Sequence, residues 1–142
     1  MGLTPVVAIV VSALLTALGL WHFTMAAKPL PRESATVPYA DGRPLFVPST
    51  AATAAVGVGL LLCALLVVST AGLVSVGLSP KVLSALCAGL ALVLLLRAVG
   101  DFRYVGFFKS VRGSRFATMD TWCYSPACLA LSIGIAYVAA TA

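Results

Sequence analysis

Long uninterrupted runs of apolar residues, separated by short polar segments, dominate the sequence. A helix needs about 20 apolar residues to cross the hydrocarbon core of a bilayer. Four runs reach or approach this length, and the spans that they predict are residues 5–27, 50–77, 80–100 and 126–142. The pattern therefore predicts an all-α, polytopic membrane protein that folds as a single bundle of four transmembrane helices.

Residues at the boundaries of the runs supply helix start and stop signals. A hydroxyl residue followed by proline precedes three of the runs, at Thr4-Pro5, Ser79-Pro80 and Ser125-Pro126. Serine or threonine can cap the first backbone N–H groups, and the fixed φ of proline suits the first helical position. Ser49 or Thr50 can cap the second span, and Gly77 is a suitable stop for it. Spans two and three are therefore predicted to form a tight helical hairpin.

Two connections are longer than the turn of this hairpin. Residues 28–49 contain five of the eight prolines, which predicts an extended, non-helical loop. Residues 101–125 contain seven of the twelve aromatic residues. This density is typical of a segment in the headgroup region of a bilayer, where amphipathic rings prefer to lie.

Charged residues are few and are concentrated in these two loops. They make up 9% of the chain, against about 25% in soluble domains. Four spans place both loops on the same side, with the basic residues Lys28, Arg32, Arg43, Arg103, Lys109, Arg112 and Arg115. The opposite side has only Lys81, so the positive-inside rule predicts cytoplasmic loops and external termini. The first residues carry no basic side chain, and the first run is interpreted as a retained span rather than a secretory signal.

Polar side chains near the predicted cytoplasmic ends of the spans form the candidate site. They are His22, Arg97, Asp101, Arg103, Asp120 and Tyr124. Arg97 lies about one turn inside the hydrocarbon edge, where a charge is expensive and usually faces the bundle, a partner or water. Asp101, four residues later, can pair with it. Because arginine before aspartate is the less favourable order on a helix, a second partner is expected, either Asp120 or the Tyr124 hydroxyl.

Each of these residues also has a simpler interpretation. Arg97 can extend to lipid phosphate without any protein partner. Asp101 can merely neutralise Arg97 or Arg103, and Asp120 can cap the turn that follows it. His22 can be a hydrogen-bonded packing residue. The basic residues Lys109, Arg112 and Arg115 are interpreted as a solvated face that attracts anionic lipid headgroups.

No cofactor, metal or nucleic acid is predicted. The single histidine makes a poor zinc site, because zinc takes three or four protein ligands. The four cysteines, Cys63, Cys87, Cys123 and Cys128, show no C-x-x-C spacing. The basic residues form no recognition helix, and no glycine-rich loop is suited to cradle phosphate.

Small residues at four-residue steps mark faces where helices can approach closely. They are Ala51, Ala55, Gly59 and Cys63 in span two, Ala85 and Gly89 in span three, and Ser132, Ala136 and Ala140 in span four. Packing within one bundle is the favoured interpretation, and a homodimer seam is the alternative.

The segment from 97 to 129, RAVGDFRYVGFFKSVRGSRFATMDTWCYSPACL, resembles the signature of a family of small bacterial four-span membrane proteins. That family is a domain of unknown function, with R-A-x-G-D-F-R-Y-x-G-F-F-K, G-T-x-F-A-x-x-D and Y-S-P-L-C-L blocks. Ser114 and Ala127 depart from the usual threonine and leucine. The resemblance implies a four-span fold in a bacterial cytoplasmic membrane and no particular activity.

Three functions remain open at this point. The first is binding of a lipid headgroup or small amphiphile by the polar layer, with Arg97 and Arg103 holding anionic oxygens. The second is a structural role as an accessory subunit of a larger membrane complex. The third is an enzyme that uses His22 and Asp120 in acid–base chemistry. Ion transport ranks below these, because the middles of all four spans lack charged residues.

Overall fold

The computed structural model describes residues 2–28 and 34–142. Its helices are α1 (Leu3–Ala26), α2 (Thr50–Thr70), α3 (Pro80–Val99), α4 (Arg115–Met119) and α5 (Ser125–Thr141), with a π-helical turn at Asp120–Tyr124. The last three elements run on continuously, so the described residues contain four helical segments long and apolar enough to cross a membrane. This confirms the prediction of an all-α bundle of four spans. Pro29, Pro31 and Arg32, which contributed to the predictions for the first loop, lie outside the described residues.

The four spans form two closely packed antiparallel pairs. α1 packs chiefly on α2 and α3 chiefly on α5, while α1 with α5 and α2 with α3 form the smaller contacts between the pairs. At one end of the bundle the hydroxyls of Thr4 and Thr141 lie 2.9 Å apart, and Ser84 Oγ donates to the Ala139 carbonyl at 2.6 Å. The two long connections therefore lie together at the opposite end.

The core combines apolar side chains with hydroxyls that bond across helices. Leu15, Val67 and Ile135 are buried in it. Ser12 Oγ donates to the Ala64 carbonyl at 3.0 Å, and Ser132 Oγ donates to the Ala91 carbonyl at 2.7 Å. Lipid tails are as apolar as these side chains, so close packing and such hydrogen bonds, rather than exclusion of water, hold the helices together.

The crossing of α1 and α2 uses a different face of α2 from the one that the small residues predicted. A Cβ on Gly57 would lie 3.0 Å from the Gly19 carbonyl oxygen, so two glycines bring the backbones of α1 and α2 together. Ala51 and Ala55 are exposed, and a Cβ on Gly59 would meet nothing within 4 Å. The favoured interpretation, packing within the bundle, was wrong for these positions, because spacing alone does not distinguish a packed face from an exposed one; the homodimer seam stays a prediction.

The second span is shorter than predicted and ends at Thr70 rather than at Gly77. Gly72 adopts a left-handed φ of 73°. Its N–H donates to the Ser69 carbonyl and the next N–H, from Leu73, donates to the Val68 carbonyl. These two bonds form a Schellman motif, which terminates the helix with glycine just past its end. The apolar residues that follow Gly72 hid this stop in the sequence.

The fourth span begins eleven residues before Pro126, at Arg115, and the predicted start at Ser125-Pro126 was wrong. Ser114 caps it, because its hydroxyl accepts from the Ala117 N–H at 3.0 Å. Proline inside a helix lacks a donor and clashes with the preceding turn. The π-helical turn just before Pro126, in which the Ser125 N–H donates to the Asp120 carbonyl, widens the helix at that point.

The described part of the first loop contains a small β-hairpin of β1 (Tyr39–Ala40) and β2 (Arg43–Pro44). Tyr39 pairs with Pro44 and Ala40 with Arg43 in antiparallel register. Asp41 and Gly42, the two turn residues, both have positive φ, the geometry of the I′ turn that suits a two-residue hairpin.

Replacing Gly57 with valine tests the crossing of α1 and α2. The new side chain meets the Gly19 carbonyl and the Phe23 ring, and overpacking of this kind costs about 1–3 kcal/mol. Thermal unfolding in detergent, followed by circular dichroism, is expected at a lower temperature for Gly57→Val than for the parent. The matched control is Gly59→Val, two residues along the same helix, which faces open space. Equal melting temperatures for the two variants would contradict the assigned crossing.

Candidate functional site

A fully buried carboxylate, Asp120, lies where the fourth span meets the loop after α3. Its side chain is 0% exposed. Arg97 Nη2 lies 2.8 Å from Oδ1, and Lys109 Nζ lies 3.0 Å from Oδ2. The Gly106 N–H also donates to Oδ2, at 2.7 Å. Both carboxylate oxygens are therefore occupied by donors from α3 and from the loop.

Lys109 is 2% exposed and uses all three of its ammonium protons. Nζ donates to Asp120 Oδ2, to the Gly106 carbonyl at 2.9 Å and to Thr121 Oγ1 at 2.6 Å. An ammonium has three donors and no acceptor, so its hydrogen-bonding capacity is fully used. The predicted role of Lys109 in binding lipid headgroups was wrong, because the side chain turns inward and pairs with the Asp120 carboxylate.

These contacts define the Asp120 cluster: Arg97, Gly106, Lys109, Asp120 and Thr121. Burying ions costs several kcal/mol each, and their attraction offsets that cost only when further hydrogen bonds complete the geometry. Here the further bonds come from the Gly106 backbone and the Thr121 hydroxyl. Arg97, whose side chain is 33% exposed, is the member nearest to the surface. The arrangement locks a loop to a helix and leaves no oxygen of Asp120 free for chemistry.

The loop folds tightly because two glycines, Gly100 and Gly106, touch through their backbones. Both have positive φ, and a Cβ on either would overlap backbone atoms beside the other. The Phe107 N–H donates to the Ala98 carbonyl at 2.9 Å, which ties this crossing to the end of α3. The close approach aims the Gly106 N–H at Asp120.

Asp101 stabilises the same loop by accepting hydrogen bonds from the loop backbone, and it does not form the predicted pair with Arg97. Its Oδ1 accepts from the N–H groups of Arg103, Tyr104 and Val105 at 2.7–2.9 Å. Slight burial acts to raise the pKa of the Asp101 carboxyl, but the donated backbone hydrogen bonds outweigh it and lower the pKa. The helical i,i+4 geometry is lost because α3 ends at Val99, before Asp101.

The remaining basic residues of the loop are exposed and separate from the Asp120 cluster. The Arg103 guanidinium lies over the Tyr104 ring, 5.1 Å from its centroid. Arg112 and Arg115 are exposed, which leaves them available to lipid headgroups. Arg103 does not join Arg97 in one layer of side chains.

Tyr124 connects the two long connections rather than contacting Arg97. Its hydroxyl donates to the Ala35 carbonyl at 3.1 Å, and its ring packs on Phe116 with centroids 6.1 Å apart. Because Tyr124 closes the π-helical turn that Asp120 opens, the Asp120 cluster positions this link.

An apolar opening at this end of the bundle is the α1–α2 cleft. It lies between the end of α1 and the start of α2, under residues 34–49, which we call the roof segment. Its volume is about 570 Å³. Its walls include Trp21, His22, Met25, Val37, Phe46 and Val56. Of the six predicted polar site residues, His22 lines this cleft and the other five do not.

The tautomer of His22 follows from its hydrogen bond. Nδ1 lies 2.8 Å from the Leu18 carbonyl oxygen, and a carbonyl only accepts, so Nδ1 carries a proton. Nε2 is left without a partner among the described residues. His22 and Asp120 form no acid–base pair, because Asp120 is sealed and does not line the cleft.

Among residues 2–28 and 34–142, no group of three or more His, Cys, Asp or Glu side chains is placed to hold a metal ion. The four cysteines are free thiols.

A model of the family described as "Protein of unknown function (DUF3995)" matches residues 15–135. The chain belongs to the DUF3995 family. This confirms the resemblance drawn from residues 97–129. Comparison with curated proteins and with solved structures finds no match.

In this DUF3995 member, residues of the signature block hold the loop after α3 to the fourth span. The sequence predicted only part of this contact. Asp120 was foreseen as a partner of Arg97, but Lys109, Gly106 and Thr121 were missed. Nothing in the pattern separates Lys109 from the exposed Arg112 three residues later. In the sequence, the one available sign of a compact turn was the pair of glycines, Gly100 and Gly106, on either side of a short aromatic segment.

Asp120→Asn tests the cluster. It keeps the size of the side chain but leaves the buried Lys109 ammonium without a counter-charge, at a cost of about 3–5 kcal/mol. Thermal unfolding in detergent is expected to show a large loss of stability. The control, Asp101→Asn, makes the same chemical change at an exposed position where the amide oxygen can still accept, and a much smaller effect is expected. Equal effects of the two substitutions would contradict the cluster.

Proposed function

We propose that the protein binds a small amphiphile in the α1–α2 cleft. The observation that supports this is the cleft itself, whose volume of about 570 Å³ lies within the range of roughly 300–1,000 Å³ typical of small-molecule sites. Its walls are aromatic and aliphatic, with a few polar groups at the loop end of the helices. A tail can lie against Met25 and Val56 while a polar head stays near the surface.

The roof segment covers part of the cleft between the two helices. It contributes Val37, Phe46 and Pro48 to the walls. Val37 is 2% exposed, and Tyr124 holds the neighbouring Ala35 carbonyl. The roof is thus supported from the fourth span, and a ligand enters beside it.

This proposal keeps the binding role expected from the sequence but places it elsewhere. The arginines were expected to hold the headgroup. Arg97 is instead committed to Asp120 and Arg103 lies over Tyr104. The cleft, with His22 at its wall, is the better-formed place for a ligand.

An accessory role in a larger membrane complex is the second candidate. The observation that favours it is the Asp120 carboxylate, both of whose oxygens already have donors within the protein and need no ligand. Native mass spectrometry of the protein extracted in a mild detergent separates the two. Recovery as an isolated monomer or homodimer carrying an amphiphile supports binding, whereas recovery with other membrane proteins and without an amphiphile supports the accessory role.

We further propose a bacterial cytoplasmic membrane as the location, with the two long connections cytoplasmic and the termini outside. The support is the distribution of basic residues, since Lys28, Arg43 and the arginines of the second loop lie at one end of the bundle, and Lys81 lies at the other. Anionic lipid headgroups on the cytoplasmic face are the expected partners of Arg112 and Arg115.

Filling the cleft is expected to abolish amphiphile binding. Ala52 lines the cleft, and Ala52→Phe places a ring in the space that the ligand occupies. The control is Ala51→Phe, on the neighbouring exposed position of α2, which adds the same ring outside the cleft. Native mass spectrometry should detect bound amphiphile on the parent and on Ala51→Phe but not on Ala52→Phe. Equal occupancy of both variants would contradict the proposed site.

Orientation is tested with two exposed serines at opposite ends of the bundle, Ser75 and Ser110. Each is changed to cysteine in a Cys123→Ser background, because Cys123 is an exposed native thiol. A membrane-impermeant maleimide added to spheroplasts is expected to label Ser75→Cys, and to label Ser110→Cys only after permeabilisation. The reverse pattern would show that the protein is inserted the other way.

A further inference from the structure

We propose that the amphiphile bound in the α1–α2 cleft carries an acidic headgroup, a carboxylate or a phosphate, which Lys28 and His22 hold at the mouth. This rests on the proposed binding function and names the chemical class of its ligand. The argument comes from the charges and hydrogen bonds of the groups that line the cleft.

Lys28 gives the cleft its charge. Among the described residues that line it, Lys28 is charged and none is a carboxylate. Lys28 takes part in no ion pair within the described residues, where both ion pairs are made by Asp120. Asp41, in the turn between β1 and β2 of the roof segment, does not line the cleft. The side chains therefore present a positive charge to any ligand.

The partial charges at the helix ends do not change the positive sign of the charge at the cleft. α1 ends and α2 begins at the cleft, so the partial negative charge of one helix terminus lies beside the partial positive charge of the other. The two contributions oppose each other, so the side-chain charge sets the sign of the electrostatic potential in the cleft.

The hydroxyls at the cleft offer little to compete with Lys28 as donors. Thr24 Oγ1 donates to the Trp21 carbonyl at 2.8 Å, and Thr53 Oγ1 donates to the Ser49 carbonyl at 3.1 Å. A hydroxyl has one proton, so both of these donors are already used. Besides the neutral Trp21 indole N–H and the Thr36 hydroxyl, the donors that remain for a ligand are the Lys28 ammonium and, when the ring is charged, His22 Nε2–H.

His22 is oriented to support the same ligand. Its Nδ1 proton is held by the Leu18 carbonyl, which leaves Nε2 as the ring atom available to a ligand. In its imidazolium form the ring carries protons on both nitrogens, and Nε2–H can donate a charge-assisted hydrogen bond to an acidic headgroup. A neutral hydroxyl headgroup can accept a hydrogen bond from the Lys28 ammonium but leaves its charge unpaired, whereas an acidic headgroup both accepts and neutralises that charge.

The experiment uses tryptophan fluorescence, since Trp21 lines the cleft. The chain has two tryptophans, and the other, Trp122, is 80% exposed, so Trp122→Phe leaves Trp21 as the single reporter. In neutral maltoside micelles, this protein is titrated with amphiphiles that carry the same brominated stearyl chain. The acidic probes are dibromostearate and its lysophosphatidate. The neutral probe is dibromostearyl alcohol.

The acids are expected to quench Trp21 at about fivefold lower concentration than the alcohol, the preference that a partly exposed ion pair provides. Whichever acid binds more tightly identifies the headgroup as carboxylate or phosphate. Lys28→Gln should remove the preference. Lys81→Gln, which makes the same change in net charge at the opposite end of the bundle, should keep it.

Equal quenching by the acids and the alcohol, or an acid preference that survives Lys28→Gln, would overturn the acidic headgroup while leaving the cleft as a binding site. Quenching by none of the three probes would overturn the proposed function itself, and this inference with it.

Discussion

One buried carboxylate organises the loop end of this bundle. Asp120 draws together a guanidinium from α3, an ammonium from the loop after it and the Gly106 backbone N–H. A carboxylate with no exposed surface is tolerable only when donors surround it, and the loop supplies those donors by folding back over the start of the fourth span. Arg97, at the end of the apolar run of α3, is neutralised by this contact rather than by the nearby Asp101.

The Asp120 cluster also supports the proposed ligand site. Asp120 opens the π-helical turn and Tyr124 closes it, and the Tyr124 hydroxyl holds the roof segment at Ala35. The charged cluster thus serves as a fixed support, and the α1–α2 cleft offers space for a ligand. This division separates residues that looked like one polar layer: Arg97 and Asp120 belong to the support, whereas His22 belongs to the cleft.

The helices were predictable because each is a long run of apolar residues. Contact with lipid keeps these runs free of polar interruptions. Asp120 was also foreseen as a partner of Arg97, from the cost of a charge near the hydrocarbon edge. The failures have one physical origin, in contacts that depend on how a loop folds. Lys109 looked like its exposed neighbours, Asp101 was read as though α3 continued, and the stop at Gly72 was hidden by apolar residues after it. Likewise, the small residues of α2 did not reveal that Gly57 rather than Gly59 meets α1.

Amide hydrogen exchange at Gly106 tests the central claim most directly. Its N–H lies 2.7 Å from Asp120 Oδ2, inside the cluster, although it belongs to a loop. The matched reference is Gly113, a second loop glycine with positive φ whose N–H has no partner among the described residues. The account predicts that Gly106 exchanges far more slowly than Gly113, at a rate close to that of amides within α3. Exchange of Gly106 as fast as that of Gly113 would show that the carboxylate does not hold the loop.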